Sequence, residues 1–215
     1  MSAPYEILAL DDLPAYESGN HGDARLMPLR NRLGLRAFGA NCWTADVGKQ
    51  IVPTHEEDSG HEELYAVVRG RARFRVGEET FDAPAGTLVH VRAGTTREAF
   101  AEEAGTIVLA VGATPGEAFE AQGWDDVVVA FAEARAGNVG GGREAMRRVA
   151  ARDPDHWGPE YNLACFEALF GDRDLAFEHL TTAAARNPDE VHRYLQHDSD
   201  LDSLRDDARF RELAG

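Results

Sequence analysis

The sequence predicts an α+β chain of two domains, an antiparallel β-structure followed by an all-α one. Two observations carry this. From Leu33 to residue 112, short segments rich in β-branched and aromatic residues alternate with Gly, Pro or acidic turns, and no helical periodicity lies between them. That is the pattern of an antiparallel sandwich or barrel. From residue 125 onward the chain matches itself at a shift of 34 residues, a period that marks stacked helical pairs. The expected boundaries are 1–112 for the β-domain with an N-terminal extension, 113–124 for a linker, and 125–215 for the helices.

Length and charge bound the function. The 215 residues suit one large or two small domains, and 43% hydrophobic with 28% charged residues is an ordinary globular composition. The formal net charge of −16 argues against non-specific binding to nucleic acid or to an anionic membrane. No apolar run approaches the ~20 residues that span a bilayer, and the start Met-Ser-Ala-Pro-Tyr-Glu lacks a signal-peptide pattern. Cys42 and Cys165 stand far apart and read as reduced, buried thiols. A cytoplasmic location is expected.

In chain order, residues 1–33 are polar and irregular, with a short strand expected near Tyr5 to Leu10 and His21 in a Gly/Asn loop. Strands are expected at Leu35–Phe38, Ala40–Asp46, Gln50–Pro53, His61–Val68, Arg71–Val76, Thr87–Arg92 and Thr106–Val111. Gly70 and Gly77-Glu78-Glu79 read as hairpin turns.

Residues 55–70 concentrate the chemistry. His55, Glu57, His61 and Glu63 are potential metal ligands, the first two across the Asp58-Ser59-Gly60 turn from the others. Alternation along a strand puts His61, Glu63, Tyr65 and Val67 on one face, so an imidazole and a carboxylate stand ahead of an apolar wall. Such a face is how a mostly apolar pocket gains a polar or metal-binding floor. His90 has parity opposite to Val89 and Val91, which assigns it to the outer surface.

Residues 55–70 resemble the first motif of the cupin family, with Glu63 and Gly70 at the family's Glu, six residues, Gly spacing. Glu57 and Ser59 stand where the family has its His pair, and His55 and His61 flank them. Residues 86–97 are similar to the second motif: Gly86 and Gly94 hold, Arg92 replaces a proline, and Arg97 replaces the third metal-binding His. The resemblance covers residues 35–112 and implies a jelly-roll-like β-barrel, a small-molecule ligand and a homodimer joined through sheet edges.

Two imidazoles and one or two carboxylates form a site for Fe(II), Mn, Ni or Zn. Two His with one carboxylate leave open positions next to the metal, as in non-haem iron oxygenases. Arg97 stays protonated and is no ligand. It has two readings: a fork that clamps an anionic group of a ligand, or the partner of an acidic neighbour such as Glu63. Without a metal, Glu63 needs such a partner, because a buried unpaired carboxylate costs several kcal/mol.

In the second half, Ala134, Gly137, Glu144, Ala150, Ala151, Arg152, Pro154 and Asp155 recur in type as Ala168, Gly171, Glu178, Ala184, Ala185, Arg186, Pro188 and Asp189. The second unit resembles the tetratricopeptide repeat through Leu163-Ala164, Gly171, Ala176, Leu180 and Pro188. Asp153-Pro154 and Asn187-Pro188 read as helix starts. Gly140-Gly141-Gly142 disfavours helix, and Val127-Val128-Val129 has strand propensity. Leu201, Leu204, Phe210 and Leu213 are expected in a terminal cap. The resemblance implies a protein partner for the repeats, or a role in stabilising the fold.

Three functions follow as expectations. One is a metal-dependent enzyme of the oxygenase, isomerase or lyase kind acting on a small organic acid or aromatic, with His55, Glu57, His61 and Glu63 at the metal, and Glu63 and Arg97 in catalysis. Another is a non-catalytic small-molecule sensor that reports through the helical repeats. The third is an assembly role through the repeats.

Overall fold

A computed structural model describes residues 5–18, 23–57, 60–121 and 123–215. His21 and the Asp58-Ser59 part of the expected turn lie outside the described residues. The chain divides into two compact units, Met1–Val128 and Val129–Gly215.

Among the described residues, the first unit holds a 3-10 helix (Leu10–Asp12), one short α-helix and ten strands: β1 (Tyr16–Glu17), β2 (Arg25–Met27), α1 (Leu29–Leu33), β3 (Gly39–Thr44), β4 (Gln50–His55), β5 (Glu62–Arg69), β6 (Arg71–Val76), β7 (Glu79–Pro84), β8 (Leu88–Val91), β9 (Arg97–Ala101) and β10 (Ile107–Ala113). They form two sheets, ordered β1-β2-β3-β10-β5-β8 and β4-β9-β6-β7. Every pairing is antiparallel. From β3 to β6 the chain changes sheet at each step, so strands adjacent in sequence lie in opposite sheets. The closed barrel expected from the sequence is therefore corrected to a two-sheet sandwich, with β1 and β8 at the edges of one sheet and β4 and β7 at the edges of the other.

Alternation builds the core. Tyr65, Val67, Phe74, Val89, Val91, Ala99 and Val108 are buried in one cluster, while Leu64, Val68, Leu88 and His90 on the opposite parity are exposed. Burying a side chain of this size is worth roughly 1.5–3 kcal/mol. On the outer face of the larger sheet, Leu13, Met27, Cys42 and Ile107 form a second cluster, covered by Leu8 and Leu10. The hairpin expected at Gly70 does not form: at φ +71° this glycine carries the chain from β5 in one sheet to β6 in the other, and an added Cβ there would lie 2.9 Å from Thr106 Cα. Only glycine fits that turn.

Several expectations change. Residues 5–9 carry no regular structure, and Leu10–Asp12 forms a 3-10 turn instead of a strand. Residues 35–38 form no strand; the chain instead makes α1 just before them and closes it at Gly34 in the left-handed region. Strands β1 and β2, in the stretch read as irregular, and strands β7 and β9 were not anticipated.

The second unit is helical. Helix α2 (Trp124–Arg135) begins in the first unit and continues into the second. Helices α3 (Val139–Arg152), α4 (Trp157–Phe170), α5 (Arg173–Arg186) and α6 (Pro188–Leu195) follow, then a 3-10 helix (Ser199–Leu204) and α7 (Ala208–Ala214). Residues 127–129 are helical despite their strand propensity, with Val128 buried. The Gly140–Gly142 run is helical as well. Asn138 caps the helix by accepting from the Gly141 amide at 3.1 Å, and Gly142 sits where a Cβ would lie 2.6 Å from the Ala130 carbonyl oxygen. Close approach requires glycine there and outweighs its low propensity. Asp153-Pro154 does not start a helix; α4 begins at Trp157, capped by His156. Asn187-Pro188 starts α6 as expected, with the Asn187 side chain accepting from the Glu190 amide.

Buried Glu167 ties the unit together. It accepts from Arg143 Nε at 2.5 Å and Nη2 at 2.9 Å, and from the Asp172 amide at 3.1 Å. Leu201, Leu204 and Phe210 are buried at the C-terminal end. The structure establishes a helical unit; its kinship with the tetratricopeptide family rests on the sequence alone.

Candidate functional site

A cavity of about 420 Å³ lies in the first unit. At one end it is lined by His55, Glu57, His61, Glu63 and Tyr65. Its apolar wall includes Trp43, Val52, Phe119 and Trp124.

His55 reaches the cavity because β4 is irregular. Val52 pairs with Ala99 and His55 with Arg97, so three steps along β4 oppose two along β9. A β-bulge of this kind breaks the parity of the strand. Val52 and His55 thus both line the cavity, while Thr54 between them also donates to Glu98. Pro53 is accommodated because β4 is an edge strand. Its carbonyl accepts from His55 Nδ1 at 2.7 Å. That bond puts a proton on Nδ1, so Nε2 carries the lone pair of the neutral ring or the second proton of the imidazolium. Nε2 lies 3.5 Å from Glu63 Oε2 and 3.8 Å from Glu57 Oε1.

Glu63 enters from β5, in the other sheet, beside Gly112 of β10. A Cβ at Gly112 would come within 3.0 Å of Glu63 Cγ, so the glycine makes room for this side chain. Glu63 Oε2 accepts from Arg97 Nη2 at 2.5 Å and Nε at 3.1 Å, and from the Tyr65 hydroxyl. Oε1 takes none of these bonds. Arg97 is fully buried, donates from Nη1 to the Thr95 carbonyl at 3.0 Å, and does not line the cavity. Its guanidinium supports Glu63 from beneath, which is the second of the two sequence readings.

These contacts set the protonation states. Burial works against ionisation of Glu63, but His55, Tyr65 and Arg97 outweigh it and hold the carboxyl down at about 2. For His55, burial and Arg97 disfavour the imidazolium, yet Glu63 and the Pro53 carbonyl raise its pKa above the usual value. Burial above all pushes the Tyr65 phenol up, so it remains a donor. Burial likewise pushes the Cys42 thiol up to about 11, which keeps it an inert apolar group.

One ligand atom from each of His55, Glu57 and Glu63 lies within 4.8 Å of the other two. His61 stands outside this trio. Its Nδ1 is 3.9 Å from Glu57 Oε2, and its ring centroid is 6.4 Å from that of Phe119. His90 points away, with Nε2 3.2 Å from Glu62 on the outer surface. Sequence reasoning did not place the aromatic wall. Trp43 and Trp124 are far apart in sequence, and their rings stack at 5.7 Å and 13°. Nor did it find the buried Arg30–Asp125 pair at the other end of the cavity, with both contacts at 2.6 Å. No local pattern announces contacts of that separation.

The fold and pocket define a class: a two-sheet antiparallel sandwich with an imidazole–carboxylate cluster at one end of an internal cavity. Solved structures similar to the chain include cupins. A cupin protein from Bacteroides fragilis has 14% identity and a TM-score of 0.41, covering 56% of this chain and 92% of its own. An RmlC-like cupin from Shewanella frigidimarina has 16% identity and a TM-score of 0.41, covering 54% and 95%. KdgF from Halomonas sp. has 18% identity and a TM-score of 0.35, covering 42% and 77%. No family model matches the sequence, and no curated protein matches it. Among the described residues, no helix is long and apolar enough to cross a membrane.

Proposed function

We propose that the sandwich binds a small molecule in its cavity beside a divalent cation held by His55, Glu57 and Glu63. The observation that carries this is the orientation of His55. Its Nδ1 proton is committed to the Pro53 carbonyl, and its Nε2 faces the oxygens of two carboxylates. That arrangement calls for a positive charge between Nε2 and the carboxylate oxygens, beyond the Arg97 guanidinium that already holds Glu63 from the other side, and a divalent cation supplies it. The backbone carbonyl behind the imidazole is the support that metal-bound histidines ordinarily have. The donor set, one imidazole nitrogen and carboxylate oxygens, suits Fe, Mn, Ni or Zn. His61, near Glu57, stands where it can join the set or contact the bound molecule.

A cation with open positions supplies Lewis-acid polarisation of a ligand oxygen. The chain's own residues do the rest. Arg97 and Tyr65 keep Glu63 ionised and fixed. Among the groups lining the cavity, His55, Glu57, His61, Glu63 and Tyr65 suit acid–base or metal-assisted chemistry.

A second reading rests on the raised His55 pKa: a proton takes the place of the metal, and the cavity binds its ligand without conversion. Calorimetric titration with Mn(II), Fe(II), Ni(II) and Zn(II) separates the two. The metal reading expects about one equivalent of at least one ion, lost in His55→Ala and in Glu57→Ala. Absence of binding for all four ions leaves the proton.

A further inference from the structure

Building on that reading, we infer that the cavity takes a planar, aromatic, uncharged molecule carrying one oxygen donor, with its ring against Trp43, Trp124 and Phe119. The stacked Trp43–Trp124 pair lines the cavity. Trp43 is nearly buried, but Trp124 remains 38% exposed. Both rings line the cavity, so the stacked pair presents aromatic surface to whatever occupies it.

Phe119 comes from the segment between β10 and α2 and lies over Gly39. A Cβ at Gly39 would be 3.3 Å from the Phe119 ring, so the glycine gives this aromatic its seat. Phe119 also faces His61, which places a second aromatic surface next to the polar end. A flat π-system between such walls gains contacts that a puckered ring of equal size does not. The volume of about 420 Å³ falls within the ~300–1,000 Å³ of small-molecule sites.

Charge selects against an anion. Arg30 is neutralised by Asp125 and by Asp126, the latter at 3.0 Å, and Arg97 by Glu63. Counting guanidiniums and carboxylates, Arg30 and Arg97 face Glu57, Glu63, Asp125 and Asp126, and a divalent cation brings the sum to zero. An uncharged ligand preserves that balance. Its oxygen meets the His55–Glu63 end while its ring meets the apolar wall.

The test compares benzamide with cyclohexanecarboxamide, which share the donor and differ in the ring. Both are titrated by NMR into the zinc-loaded full chain and into its Phe119→Ala and Trp124→Leu variants, with folding checked by circular dichroism. Benzamide is expected to bind about fivefold or more tighter than its saturated analogue. Phe119→Ala is expected to erase most of that preference while zinc affinity is unchanged. Equal affinities, no binding of either amide, or a preference unmoved by both variants overturns the inference. If the protein retains no zinc, the metal reading fails separately, and the same pair titrated into the metal-free protein decides the aromatic preference.

Discussion

Glu63 sits at the meeting point of both sheets, and its partners determine what Arg97 is worth. Removing a buried partner strands a charge, which costs about 3–5 kcal/mol. Arg97→Met is therefore expected to lower unfolding free energy by that amount in urea titration, and Glu63→Gln in the same chain to recover a large part of it. A cost below about 1 kcal/mol for Arg97→Met contradicts the pairing. Tyr65→Phe removes a donor to an ionised group and is expected to cost about 1.5–3 kcal/mol. Much of this was legible in the sequence, because alternation alone put Glu63 and Tyr65 on one face. The orientation of His55 was not. It depends on an extra residue in β4 relative to β9, and a bulge leaves no trace in residue type.

Elements formed or failed for reasons of packing more than of propensity. The Gly140–Gly142 run reads as a helix breaker, yet α3 passes so close to the Ala130 carbonyl that a methyl has no place at Gly142. Gly142→Ala is expected to destabilise the protein by about 1–3 kcal/mol despite its better helix propensity. A stabilised variant in thermal melts contradicts that packing. Strand β9, Arg-Glu-Ala-Phe-Ala, is charged and alanine-rich, and it is a strand because β4 and β6 hydrogen-bond to it on both sides. Its context overrides its weak propensity. Strand β7 ends in proline and carries Asp82 on its exposed parity, so its sequence has little strand character, and its first residue, Glu79, falls in the turn expected at 77–79.

Glu167, in α4, gives a pH signature. Burial works against its ionisation, but Arg143 and the Asp172 amide outweigh it and hold the carboxyl below its ordinary value. Its folded pKa is lower than its unfolded one. Its stabilisation is thus complete above the unfolded value, about 4.3, and is lost as pH falls through the folded one. Melting temperatures between pH 3 and 7 are expected to fall less steeply below about pH 4 in Glu167→Gln than in the parent, from a lower plateau. Parallel curves contradict the assignment.

At the scale of the whole molecule, a net charge of −16 makes self-repulsion general. Raising ionic strength from about 0.01 to about 0.15 M shortens the screening length to about 8 Å. The melting temperature is expected to rise with that change, and a fall contradicts net repulsion. The division into a β-unit and a helical unit was legible from strand spacing and from the 34-residue period. The open sandwich was not, because hairpin signals are the same in sheets that close and sheets that do not.

The central claim is a cation among His55, Glu57 and Glu63. The direct measurement is an anomalous-difference map at the zinc edge from crystals grown with zinc. The account predicts a peak about 2.0–2.1 Å from His55 Nε2 and about 2.0–2.2 Å from a carboxylate oxygen, absent in His55→Ala crystals grown alike. No peak at this cluster in maps from crystals grown with zinc, and none in maps at the manganese, iron and nickel edges from crystals grown with those ions, contradicts it.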